Sequence, residues 1–241
     1  DKFGVHRFQV EIPAARTGAV VIIEDYGYQG QERGIPNLRY HAEFIVERGT
    51  NRRAARGSDI SAWAMDAGLD YFWTMPGRPR MGIEYARASG DSSRAGPPHP
   101  GIGSNVPGTT DNTFVGFGYL NAGASLSPLF SNLEFVRFAA GLRPFDDPES
   151  PAWQNLEIGT SSFFFWRPEA GAMISDVRAN AFPGERYLGY EWDLFVNWRM
   201  SSDMSLLINY GIFLPNDQSF DPVSDNHHSR QFLTVNLNWL L

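Results

Sequence analysis

Asp66 and Asp70 lie four residues apart, and Glu191 and Asp193 lie two apart. In an extended chain both spacings put the two carboxylates on one face. Paired carboxylates can act as general acid and base in a hydrolase. No histidine stands beside an acid in a loop suited to catalysis, and no serine nucleophile motif occurs. Charge on the wall of a polar interior explains the pairs more simply. His227 and His228 follow Asp225. Adjacent histidines can bind a metal, but no fixed Asp/Glu/His spacing accompanies them, so they read as a solvated loop. Asp91, Asp111, Asp217, Asp221 and Asp225 are acids in connecting segments and could bind divalent cations, although no calcium-loop consensus is present. Ser89-Gly90-Asp91 reads as a turn, because Gly and Asp tolerate left-handed backbone angles. Gly101-Ile102-Gly103 lacks the strand–helix context that phosphate binding needs. The residues therefore nominate no catalytic group, no metal ligand and no cofactor.

The 241 residues carry 20 basic and 27 acidic side chains, a net charge of −7. That balance argues against nucleic acid as a partner, which needs a basic face. Lys2 is the single lysine and the other nineteen basic residues are arginine. Arginine's planar fork suits carboxylate and phosphate, although a GC-rich genome gives the same bias. With no cysteine, disulfides, thiol catalysis and Cys-ligated zinc are excluded. The longest aliphatic run, Ala19 to Ile23, is too short for a membrane helix. Aromatic residues at 14% and 24 glycines suit a β-rich chain. No signal peptide is visible and the chain starts at Asp1 without a Met, so it reads as processed or as a piece of a longer one.

The elements that must position these charges have period two. Leu38, Tyr40, Ala42, Phe44 and Val46 alternate with Arg39, His41, Glu43 and Glu47. Trp63 to Trp73 alternates with Ala64, Asp66, Gly68, Asp70 and Phe72. Met81, Ile83 and Tyr85 alternate with Arg80, Gly82 and Glu84, and Val136 to Leu142 with Arg137, Ala139, Gly141 and Arg143. Leu188 to Trp198 alternates with Gly189, Glu191, Asp193 and Asn197, followed by Arg199. Leu206 to Ile212 and Leu233 to Leu241 repeat the pattern. Each such segment is a strand with one apolar and one polar face. Segments 1–12, 18–28 and 156–167 are further strands with less distinct faces. About ten strands result, many of them long enough to cross a bilayer core when tilted.

Met75 to Pro79 and Ser201 to Asp203 are tight turns, whereas connections 48–57, 168–187 and 215–229 are longer. The stretch 89–131 is longest, with a Gly/Pro-rich start (Ala95 to Gly108) and an extended piece near 113–123. Short turns at one end and long loops at the other characterise transmembrane β-barrels. Alternation alone fits a soluble lipocalin-like barrel or β-sandwich as well. Charged polar rows, glycines among them (Gly68, Gly82, Gly141, Gly189, Gly211) and aromatics near the strand ends favour a membrane barrel with its apolar face outward.

The order RYHAEFIVERG (39–49), DISAWAMDAGLDYFW (59–73), PRMGIEYARASGD (79–91), NLEFVRFAAGLRP (132–144) and LGYEWDLFVNWRMSSDMSLLINYGIFLP (188–215) resembles the alginate-export family of bacterial outer-membrane channels. The sharper points are Ala88 to Asp91 and the Gly189, Glu191, Asp193 spacing. The resemblance implies an antiparallel barrel of about eighteen strands in a Gram-negative outer membrane, passing anionic polysaccharide or small solutes passively. This chain would supply the C-terminal strands or form a smaller barrel. It departs from such barrels in ending Trp239-Leu240-Leu241 rather than on an aromatic residue.

The expectation is thus an all-β, antiparallel transmembrane barrel, one domain over 1–241, with 89–131 as a long extracellular connection. Its lumen would be lined by Arg39, Glu43, Asp66, Asp70, Arg80, Glu84, Arg137, Arg143, Glu191, Asp193 and Arg199. These charges either pair across strands or form a substrate track. They do not form an arginine-dominated constriction. Expected partners are outer-membrane lipid and lipopolysaccharide, a polar or anionic solute, and upstream strands or assembly partners. Alternatives are a structural or docking barrel, with 89–112 folded inward or outward, and an outer-membrane hydrolase.

Overall fold

The computed structural model describes residues 4–11, 17–28, 37–51, 58–94, 96, 105–106, 108–116, 120–145, 153–176, 184–216 and 228–239. Ten strands form one sheet: β1 (Gly4–Glu11), β2 (Thr17–Tyr28), β3 (Leu38–Asn51), β4 (Ser58–Phe72), β5 (Arg80–Ala88), β6 (Glu134–Leu142), β7 (Leu156–Trp166), β8 (Tyr187–Arg199), β9 (Met204–Pro215) and β10 (Arg230–Trp239). Every strand pairs antiparallel with its sequence neighbour, so the sheet is a plain meander. Among the described residues β1 pairs only with β2 and β10 only with β9. No helix of the described residues is long and apolar enough to cross a membrane.

Strand lengths of 13 to 15 residues in β3, β4 and β8 exceed what a soluble sheet usually needs. The connections alternate between the two ends of the sheet, and the expected split into short turns and long loops holds only in part, since 143–155 is longer than 52–57. At one end, the turn end, lie 73–79, 143–155 and 200–203; at the other, the loop end, lie 52–57, 89–133, 167–186 and 216–229. The 73–79 turn closes through Trp73 N–H to Pro79 O and Arg78 N–H to Met75 O. Gly77 at φ 82° supplies the left-handed angle that this turn requires. A register shift at Phe165/Trp166 lies opposite Gly189, whose φ of 146° relieves the irregularity at the start of β8.

The two faces differ as the alternation requires. One face carries Met81 at 58% exposure, Phe138 at 49% and Leu194 at 40%. Exposing one such side chain to water forgoes ~1.5–3 kcal/mol of burial free energy, so a continuous face of them needs hydrocarbon. Aromatic residues bound this face at both ends. Trp153 stacks on Trp198 at 4.4 Å and Tyr71 meets Trp73 edge-on at the turn end. Trp166 packs with Tyr187 at the loop end. Trp192 and Val196 are half-exposed on this face, so no dry centre is built from it.

The opposite face is charged toward the turn end and apolar toward the loop end. There Phe135, Phe163, Phe165, Leu188 and Phe213 are buried under Ala122, Leu126, Leu133 and Ile174 from the connections. A second cluster joins Ala62, Ala64 and Ala88 to Phe114. The described part of 89–133 therefore lies across the polar face. The extended piece expected near 113–123 is not a strand in its described residues; it is irregular chain, and the isolated bridge Ile60–Asp111 ties the residues just before it to the sheet. Its Phe114, Val115 and Ala122 are buried, and burial rather than ladder pairing fixes its path.

Candidate functional site

The ladder register decides which charges meet. Arg39 faces Asp70 directly across β3 and β4, and its guanidinium bonds that carboxylate at 2.7 Å. Glu84 and Arg137 are direct partners across β5 and β6, also at 2.7 Å. Arg80 reaches over β6 to Glu157 on β7 at 2.7 Å, and Arg143 approaches the other oxygen of Glu157 at 3.8 Å. His41 Nε2 lies 3.3 Å from Asp66. Glu43 sits opposite Asp66 in register. Arg199 is exposed at the turn end and donates to Ser201 O at 3.4 Å. The eleven residues expected to line a lumen thus share one face of the sheet, and most of its arginines are in cross-strand pairs.

Glycine makes the room for these side chains. His41 faces Gly68, Asp70 faces Gly82, Arg80 faces Gly141, Asp193 faces Gly211 and Phe195 faces Gly159. A Cβ built on Gly68 would lie 3.0 Å from His41 Nε2, and one on Gly141 would lie 3.1 Å from Arg80 Nε. Each long polar side chain lies flat across its glycine partner rather than standing into the interior. Three arginines also lie over phenylalanines of the same face: Arg39 over Phe72 at 5.4 Å, Arg80 over Phe195 at 5.7 Å and Arg137 over Phe163 at 5.9 Å.

Glu191 and Asp193 have a different task. Glu191 is fully buried and accepts backbone N–H bonds from Ser125 at 2.5 Å and Leu126 at 2.8 Å. Asp193 accepts one from Ala124 at 3.1 Å. Arg230 on β10 completes the clamp by donating to Ser125 O at 3.2 Å and Asp176 at 2.7 Å. The pair read from spacing as acid and base, or as open pore lining, holds segment 123–126 onto the sheet.

The acids Asp91 and Asp111, read from sequence as loop acids that could meet divalent cations, are instead internal. Asp91 accepts bonds from Ser93 N–H, Asn112 N–H and Asn105 Nδ2 at 2.7 to 2.9 Å. Asp111 is fully buried beside Arg94 at 3.4 Å. A surface divalent ion cannot reach carboxylates that already close a folded connection. Asp217, Asp221, Asp225 and His227 lie outside the described residues, and His228 is exposed. Asn132 joins the two long connections, accepting from Glu169 N–H at 2.9 Å and donating to Ala172 O at 3.2 Å. Arg167, just beyond β7, donates to Glu185 O at 2.6 Å and Ala172 O at 3.1 Å; burial draws its pKa below the usual value.

Two arrangements escaped the sequence reading. The first is a cavity of about 870 Å³ at the turn end, lined by Arg39, Arg78, Arg80 and Arg143 against Glu157. Counting charges strand by strand hid it, because Arg78 belongs to a turn and the others to three different segments. The second joins His41, Asp66 and Glu84, whose ligand atoms all lie within 4.8 Å of one another. Spacing along the chain gave no signal, since the three come from β3, β4 and β5.

The family model described as Alginate export matches residues 14–231. No curated protein matches the chain. Among solved structures, 99% of the chain aligns with the outer-membrane expressed OmpT of Vibrio cholerae at 10% identity and a TM-score of 0.49. It also aligns over 99% with the NanC porin at 9% identity and a TM-score of 0.44. The chain spans 61% of the length of the first and 93% of the second. Neither superposition reaches a TM-score of 0.5.

Proposed function

Because the chain belongs to the Alginate export family of bacterial outer-membrane channels, we propose that it passes anionic, polar solutes passively along its charged face. Its place is the outer membrane, and the family favours a channel over an enzyme. The observation that carries the anionic reading is the turn-end cavity, where four arginines surround one carboxylate, Glu157. Arg39 also pairs with Asp70, and the side chains of Arg78 and Arg143 are solvent-accessible in the mouth. A cluster of like charge in a cleft with low-dielectric walls raises the local concentration of the opposite ion. A carboxylated saccharide fits this mouth, since guanidinium groups take carboxylates in bidentate pairs.

The polar face becomes a lumen when the sheet closes. In the proposal β1 and β10 are completed by each other or by further strands, and the apolar face meets lipid and lipopolysaccharide. The loop-end connections, 89–131 among them, are then extracellular and the turn-end connections periplasmic, the usual arrangement of such barrels. On that reading the arginine mouth opens to the periplasm, where an exported polymer would enter.

Planar-bilayer recording of the folded protein tests the proposal. Reversal potentials in a salt gradient should show anion preference, and Arg78→Glu with Arg143→Glu should reduce or invert it. A cation-selective wild type would overturn the anionic reading. A folded protein that carries no current would remove the channel itself.

A further inference from the structure

We propose that His41, Asp66 and Glu84 form a binding site for one divalent transition-metal ion of the zinc class on the wall of the polar face. The three residues come from adjacent strands. His41, Gly68 and Glu84 form one cross-strand row, and Asp66 stands two residues from Gly68 on the same face of β4. Gly68 has no side chain, so the imidazole of His41 lies over its Cα and reaches the two carboxylates. Any larger residue there would push the ring away.

The distances fit shared coordination. Two ligand atoms on a tetrahedral zinc at ~2.0–2.1 Å lie roughly 3.4 Å apart. His41 Nε2 and Asp66 Oδ2 are 3.3 Å apart, and the full set closes within 4.8 Å. Asp66 Oδ1 is buried and has no hydrogen-bond partner. Glu84 is bonded to Arg137 through Oε2, a contact that orients the carboxylate. A water molecule would supply the remaining position.

The charge around the three ligands is balanced, so the ligand set itself carries the negative charge that a cation would meet. Glu43 faces Asp66 in register and Asp70 lies further along β4, against Arg39 and Arg137. A neutral imidazole with two carboxylates balances a divalent ion. Imidazole among the ligands favours zinc, copper or nickel over calcium and magnesium, which prefer oxygen alone. The site does not depend on the chain being a channel, because it lies within the described sheet.

Calorimetric titration of the whole folded chain in detergent with zinc chloride tests the assignment. One equivalent should bind, and His41→Ala and Asp66→Asn should each weaken binding by at least about tenfold. Gly68→Val should do the same without removing a ligand. His227→Ala combined with His228→Ala should leave the affinity unchanged, which separates this site from the histidine pair in the loop. Cobalt, used as a spectroscopic substitute, should give a visible absorption band that His41→Ala abolishes. Intact tryptophan fluorescence and heat-dependent gel mobility identify the folded variants. A folded wild type that takes no zinc, or a folded His41→Ala protein that binds as tightly as wild type, would overturn the site and leave His41–Asp66 an ion pair only.

Discussion

Gly82 sits directly across from Asp70, and Asp70 holds Arg39 at 2.7 Å. The same device recurs at Gly68, Gly141 and Gly211, each opposite a charged or ionisable side chain. A strand loses side-chain packing and backbone entropy at each glycine, so these positions weaken the isolated strand. What offsets the cost is a charged group laid flat against the wall with its partner in reach. Gly82→Val should therefore destabilise the protein by ~1–3 kcal/mol through overpacking. It should also release Arg39 to the mouth. Urea unfolding followed by tryptophan fluorescence in lipid vesicles measures the first effect, and increased anion preference reports the second. A valine that changes neither would mean that Asp70 has another place to go. The glycines were legible in the sequence as small residues among charged positions. Their partners were not, because register is set across strands and not along one. For the same reason Asp66 and His41, 25 positions apart, gave no hint of meeting.

At the scale of elements, the connection between β5 and β6 does most to shape the polar face. Its residues show no period, so composition revealed only that it is irregular. Phe114, Val115, Leu126 and Leu133 are scattered through it, yet all four are buried. Leu126 and Leu133 cover Phe135, Phe163 and Phe165, whereas Phe114 packs on Ala62, Ala64 and Ala88; β7 therefore has unclear faces in sequence, because one set of its aromatics meets the connection and the other set faces outward. Alternation is readable where one face is polar and disappears where both are covered. The clamp on this connection is Glu191 with Asp193. A buried hydrogen bond contributes about 0.5–1.5 kcal/mol net, and leaving a buried donor unpaired costs about 1–3 kcal/mol. Glu191→Ala should release segment 123–126, leaving Ser125 and Leu126 N–H without acceptors. Larger single-channel conductance and faster proteolysis within 120–130 are the expected outcomes, with the sheet intact by circular dichroism. Unchanged conductance would place the narrowest part of the pathway elsewhere.

For the whole molecule, the decisive property is which face meets hydrocarbon. β6 allows a direct comparison, because Phe138 and Ala139 are neighbours on opposite faces. Phe138 is 49% exposed on the apolar face, whereas Ala139 lies on the charged face between Arg137 and Gly141. Its cross-strand neighbours are Gly82 and Ser161, both small. If the apolar face is in lipid, Phe138→Arg puts a guanidinium near the bilayer midplane at a cost of ~2–4 kcal/mol. Ala139→Arg puts the same group into a wall that already holds Glu84 and Glu157, where its charge is solvated and its stem has space. Folding into vesicles should then fail or weaken by that amount for Phe138→Arg and change by much less for Ala139→Arg. In water the order would reverse: an exposed phenylalanine replaced by arginine would cost little, and the inward arginine would have to enter a packed interior. The pair of variants separates the two orientations without reference to transport. The same energy difference gives a physical reason for the arrangement of the chain, since every charge kept off the lipid face of β3 to β9 must be accommodated on the other, against glycine, phenylalanine or an opposite charge.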